Sequence, residues 1–203
     1  MGPGLMGIER SHGAAARRAR LPALAASGVV AGFFLLEGRL RQGSEARSLQ
    51  AGDADRGTTR AIGAAVPLAV GGPPLASALR IRRLPVGVGW MGTALAAGGV
   101  ALRVWAARVL GASYTRTLRV RDAQPLIDTG PYALVRHPGY AGALAMWAGY
   151  ALSWRSLPAL VAIGPMLVAY LRRIAAEEEM LDRVPGGGYR RYRQRTRRLI
   201  PGI

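Results

Sequence analysis

Residues 128–142 read DTGPYALVRHPGYAG. Two Pro, three Gly, two Tyr and the pair Arg136-His137 fall within this stretch, directly ahead of an apolar run. A helix that only crosses a membrane needs none of that punctuation. Pro138 disfavours helical geometry at His137, so the chain should enter the apolar run through a non-helical turn. Main-chain groups exposed at such a turn can meet the polar edge of a ligand. Gly130, Gly139 and Gly142 permit close backbone approach, and Tyr132 and Tyr140 offer flat faces for stacking. A lone histidine is more often structural than functional. The combination reads as half of a cofactor site.

Outward from this stretch the chain is a series of apolar runs separated by arginine. Runs at 61–79 and 84–102 approach the ~20 residues that span a bilayer. The run at 21–36 is shorter and follows Arg17, Arg18 and Arg20, a pattern shared with signal peptides. Glu37-Gly38-Arg39 follows it where a small-residue cleavage site would stand, so an uncleaved first membrane helix is the better reading. Residues 37–60 read as a polar loop. Residues 103–121 carry five arginines and read as a helix end followed by a surface segment. After the motif, runs at 140–154 and 156–171, split only by Arg155, form a tight helical hairpin. The expected fold is all-α, a polytopic bundle of about five transmembrane helices with a C-terminal cytoplasmic helical segment. Residues 1–110 would hold the N-terminal transmembrane helices and 111–203 the motif region.

Charge narrows the function classes. The chain has 203 residues, half of them hydrophobic, yet carries a net charge of +17; all 28 basic residues other than His are Arg. Its pI near 11.7 raises the question of nucleic acid. The arginines, however, cluster at the ends of apolar runs, where lipid headgroups lie, so membrane lipids are the expected partner and nucleic acid is not. There is no cysteine, and His12 and His137 are far apart, so no metal site is expected. With five spans, one side would carry eight arginines and the other twenty. The positive-inside rule puts the richer side, with the motif, in the cytoplasm; the four arginines of the N-terminal tail dissent. The Ala, Gly, Pro and Arg bias points to a GC-rich, bacterial source, and hence the plasma membrane.

The second half of the site is expected near residues 173–181. Glu177, Glu178 and Glu179 follow Arg173 at helical spacing. Alone, this pattern describes an i,i+4 ion pair on a solvated face, worth about 0.3–0.5 kcal/mol. Its position directly after a membrane span shifts the reading toward function, because acids near the bilayer are costly to keep.

GPYALVRHPGYAG, then RIAAEEEML, then GGGYRRYRQRTRRLIP together resemble the isoprenylcysteine carboxyl methyltransferase family and its bacterial relatives, integral-membrane enzymes that use S-adenosylmethionine. The matching positions are Gly130 and Tyr132, Arg136 through Gly142, Arg173, Glu177, Glu178 and Leu181, Tyr189, Tyr192 and Pro201. Gly186, Gly187 and Gly188 depart from the family pattern. The resemblance implies residue roles. Gln124, Pro125, Leu126, Ile127 and Tyr132 would line the cofactor pocket. His137, Pro138, Gly139 and Tyr140 would hold the adenosine, and Glu177 the cofactor's polar end. Arg173 would face the acceptor, with Glu178 beside it in catalysis. The reaction would be O-methylation of a lipophilic acceptor entering from the bilayer. The preferred acceptor is the phenolic hydroxyl of a long-chain alkylresorcinol or alkylpyrone lipid. Alternatives are a prenylcysteine-type carboxyl group, a phospholipid amine, or a non-enzymatic membrane interaction or lipid-binding subunit.

Overall fold

The computed structural model describes residues 3–40, 55–79, 81, 83–111, 126–183 and 187–201. Seven α-helices lie in these stretches: α1 Pro3–Leu40, α2 Thr58–Ala78, α3 Val86–Leu110, α4 Pro138–Ser153, α5 Leu157–Val161, α6 Gly164–Asp182 and α7 Gly188–Arg195. A 3₁₀ turn, Gly130–Ala133, precedes α4. The described residues contain only two isolated β-bridges and no strand. The all-α, polytopic architecture expected from the apolar runs is the one observed.

Among the described residues, four stretches are long and apolar enough to cross a bilayer: Arg17–Arg39, Thr58–Ala78, Val86–Leu110 and Leu157–Asp182. The fifth expected span is α4, which has only 16 residues. At 1.5 Å per residue it is about 24 Å long, short of the hydrocarbon thickness. Its neighbours cover it instead: Ala143, Met146, Trp147, Tyr150 and Ala151 are all buried. A helix sheltered by protein need not match the membrane.

Helix α4 is held by backbone proximity to α3. A Cβ on Gly99 would sit 2.5 Å from the Gly142 carbonyl oxygen, and one on Gly149 would sit 2.5 Å from that of Gly92. The pairs Gly92–Gly149 and Gly99–Gly142 lie seven residues apart on each helix and run in opposite directions. The two helices are therefore antiparallel and in backbone contact, the close approach that small residues allow in membranes. The prolines of α2 are accommodated by side chains. Pro74 has no N–H to offer the carbonyl of Val70, and the Tyr150 hydroxyl donates to that carbonyl at 2.9 Å.

Two expectations are corrected here. The segment read as a loop from residue 37 is helical through Leu40, and Glu37 is buried. Helix α3 runs to Leu110, so the helix end expected from residue 103 lies seven residues further on, and Arg103 is only 8% exposed. A buried ion pair holds it there. Arg103 Nη2 and Nε donate to the two Glu37 carboxylate oxygens at 2.8 and 3.3 Å. Each charge makes the burial of the other tolerable.

The up-and-down path gathers the C-terminal ends of α1, α3 and α6 with the N-terminal ends of α2 and α4. The opposite end is stapled by Arg155, which donates to the carbonyls of Leu84 and Ala19 at 2.8 and 3.0 Å.

Candidate functional site

The turn expected before the apolar run is present. His137 caps α4 with φ −125° and ψ 56°, and Pro138 takes the first helical position. The His137 carbonyl accepts from the N–H groups of Tyr140 and Ala141 at 3.1 and 2.9 Å. The Gly139 carbonyl accepts from Arg103 Nη1 at 3.0 Å. The buried Glu37–Arg103 pair therefore grips the first turn of α4 directly.

Two charged clusters meet at this end. The first surrounds Glu178 of α6, which is 5% exposed. Its Oε1 accepts from Arg136 Nε at 3.1 Å and lies 3.2 Å from His137 Nε2; its Oε2 accepts from Arg198. The C-terminal segment is stitched to the same loop by main-chain bonds. The N–H groups of Arg136 and His137 donate to the carbonyls of Arg197 and Arg198 at 2.7 and 3.1 Å. The Tyr192 hydroxyl donates to the Tyr132 carbonyl at 2.6 Å. Burial pushes the Tyr192 phenol up to about 12, which keeps it a donor. The Tyr189 phenol is also pushed up, first by burial and then by the Glu178 charge.

The second cluster surrounds Arg173, 4% exposed on α6. Its Nη1 donates to Asp55, to Thr58 Oγ1 at 3.1 Å and to Thr59 Oγ1 at 3.0 Å. Its Nε donates to the Tyr140 hydroxyl at 3.2 Å. Asp55 also accepts from the Thr59 N–H in the first turn of α2 at 3.1 Å. Burial alone would raise the Asp55 pKa. Hydrogen bonds from Thr59 and Thr58 and the Arg173 charge outweigh it, so the carboxyl lies below its ordinary 3.8. The Tyr140 ring stands 5.8 Å from His137 and 5.6 Å from Tyr170, centroid to centroid. Glu177 lies within electrostatic range of both Arg173 and Tyr140.

His137, Pro138, Gly139, Tyr140, Arg173, Glu177 and Glu178 are thus brought to one end of the bundle. Tyr132 joins them through α7. Leu126 is exposed and Ile127 half-buried. Gln124 and Pro125 lie outside the described residues. Asp55, Glu37 and Arg103 were not picked out from the sequence as site residues. For Asp55 a sequence cue existed: an acid shortly before Thr58-Thr59 and an apolar run is a helix N-terminus pattern.

The donor set suits S-adenosylmethionine. Glu177 Oε2 is buried without a hydrogen-bond partner. A buried carboxylate oxygen without a donor is costly, and the ammonium or ribose hydroxyls of that cofactor are donors of the right kind. Tyr140 and His137 supply ring faces and the turn at His137–Tyr140 supplies main-chain groups.

Residues 88–186 match the phospholipid methyltransferase family. Over 119 residues the chain is 31% identical to a probable protein-S-isoprenylcysteine O-methyltransferase of Oryza sativa subsp. indica and, equally, to its counterpart in subsp. japonica. The alignments cover 57% of this chain and 62% of each relative, so the chain spans about three fifths of the length of the proteins it matches. The segment similar to phospholipid methyltransferases, residues 88–186, carries the His137 turn, the short buried helix and Arg173 with its glutamates, and the chain is an integral membrane protein.

Proposed function

We propose that this protein is a membrane methyltransferase that takes S-adenosylmethionine as donor and transfers a methyl group to an oxygen of a lipophilic acceptor. The observation that carries the reading is Glu177: a half-buried residue whose Oε2 is buried without a hydrogen-bond partner, beside Tyr140 and Arg173. Bound there, the cofactor supplies an electrophilic methyl group on sulfur. Glu177 accepts from its polar end, and His137, Pro138, Gly139 and Tyr140 hold the adenosine. Leu126, Ile127 and Tyr132 close the pocket; the sequence resemblance adds Gln124 and Pro125, which lie outside the described residues. Arg173 orients the acceptor. Glu178 acts on that geometry by tying Arg136, His137 and Arg198 together. Burial excludes water, so most of the rate enhancement comes from positioning. The site faces the cytoplasm of a bacterial cell from its plasma membrane, as the arginine asymmetry indicates.

Two acceptor classes fit. The names of the rice proteins favour a prenylcysteine-type carboxylate. The phenolic hydroxyl of a long-chain lipid is the class preferred from the sequence. Calorimetry on the detergent-solubilised protein tests the cofactor: S-adenosylmethionine should bind, and Glu177→Ala should abolish binding while leaving the helical circular dichroism intact. Unchanged affinity in that variant would remove Glu177 from the site, and no binding by the unmodified protein would sink the reading. Arg173→Ala should keep cofactor affinity and lose turnover.

A further inference from the structure

The partner held by Arg173 bears on what the acceptor can be. If Arg173 received an acceptor carboxylate, its guanidinium would present free donors toward the pocket. Instead Nη1 is engaged by Asp55, Thr58 and Thr59, and Nε by the Tyr140 hydroxyl. Asp55 is 1% exposed and held by four bonds of its own, from Thr58, from the Thr59 hydroxyl and N–H, and from Arg173. It is therefore fixed, and an incoming anion cannot displace it without leaving a buried carboxylate behind. A carboxylate acceptor seated on Arg173 would also lie beside the Asp55 and Glu177 carboxylates, where the effective dielectric is low and like charges repel.

We infer that Asp55 fills the anion position on Arg173 and so makes the acceptor site select an uncharged headgroup, a hydroxyl or phenol, over a carboxylate. The inference rests on the reading of this site as that of a methyltransferase, and it narrows its substrate class. Asp55 lies outside residues 88–186, the segment that matches the family. It acts through Arg173 and is a positioning residue.

Two probes with one tail separate the classes: N-dodecanoylglycine, ionised at pH 7.5, and the neutral N-dodecanoylglycinamide. Binding of each to the detergent-solubilised full chain is followed by tryptophan fluorescence, with and without saturating S-adenosylmethionine. The amide should bind the unmodified protein at least about tenfold tighter than the acid. Asp55→Asn should shift the acid-to-amide ratio by about tenfold or more toward the acid. A merely structural role for Asp55 would weaken both probes together and leave their ratio unchanged. Equal or tighter binding of the acid by the unmodified protein overturns the inference, as does an unmoved ratio in the variant or failure of both probes to bind. The unmodified protein decides the matter alone should Asp55→Asn not fold. Loss of cofactor binding in calorimetry would instead strike the methyltransferase reading, while the arm without cofactor still tests Asp55.

Discussion

The contact between α3 and α4 makes a sharp prediction because two adjacent glycines differ completely in their surroundings. A Cβ at Gly98 would meet nothing within 4 Å. A Cβ at Gly99 would lie 2.5 Å from the Gly142 oxygen, 2.5 Å from the Met146 nitrogen and 3.1 Å from the Ala145 carbonyl carbon. All three are backbone atoms of α4, so no rotamer change relieves the clash; the helices must separate by most of an ångström. Overpacking of this kind costs about 1–3 kcal/mol. At Gly98 the same substitution removes backbone freedom from the unfolded chain and gains about 0.5–1 kcal/mol. That gain applies at both positions, so the two single-methyl substitutions should differ by the overpacking cost, about 1–3 kcal/mol. The check is reversible unfolding in mixed micelles, titrated with SDS and read by circular dichroism. Gly99→Ala should also weaken binding of S-adenosylmethionine, because Arg103 lies one turn further along α3 and holds the Gly139 carbonyl. Equal stability of the two variants would refute the backbone contact, and with it the antiparallel register of α3 and α4.

Glu178→Gln removes the charge that holds Arg136 and Arg198 and should loosen residues 187–198. Bonds to charged groups contribute about 1.5–3 kcal/mol each; with half of the Arg198 side chain exposed, the lower figure applies. Tryptic cleavage at Arg190 and Arg191 should then accelerate by about tenfold, as followed by mass spectrometry. Arg103→Leu, which breaks a buried ion pair, should destabilise by about 3–5 kcal/mol, and Glu37→Leu added to it should recover much of that loss in a double-mutant cycle of SDS unfolding. Asp55 has its folded pKa below its ordinary 3.8. Its contribution is complete above that ordinary value and fades as pH falls through the lower folded one, so the stability gap between the protein and Asp55→Asn should narrow below about pH 4.

The helices were legible because apolar runs need only composition and length. The His137 turn was legible because Pro138 acts locally, on the residue before it. What composition could not reveal was long-range pairing. Glu37 and Arg103 are 66 residues apart and Asp55 and Arg173 are 118 apart. Each charge, taken alone beside an apolar run, looks like the edge of a membrane span, so residue 103 reads as a helix end and residue 37 as the start of a loop. The spacing of Arg173 and Glu177 suggested a local i,i+4 pair. Arg173 instead turns its hydrogen bonds to Asp55, Thr58, Thr59 and Tyr140, and Glu177 keeps one oxygen without a partner. The glycines of α3 and α4 were visible as small residues, but nothing in either run said which helix would press against which.

The division between matched and unmatched sequence has a physical consequence. The family-matched segment supplies the His137 turn, Tyr140, Arg173 and Glu177. The two carboxylates that fix Arg103 and Arg173, Glu37 and Asp55, come from before it. Glu37 reaches the first turn of α4 through Arg103 and the Gly139 carbonyl, whereas Asp55 reaches Arg173 directly. On the proposed reading, the first sets how the donor-binding loop is held and the second how much positive charge is left for the acceptor. The chemistry-bearing residues can then stay in one segment while the preceding helices tune them. A chimera that kept residues 88–186 and replaced those helices would be expected to lose acceptor selectivity while retaining the residues that hold the donor.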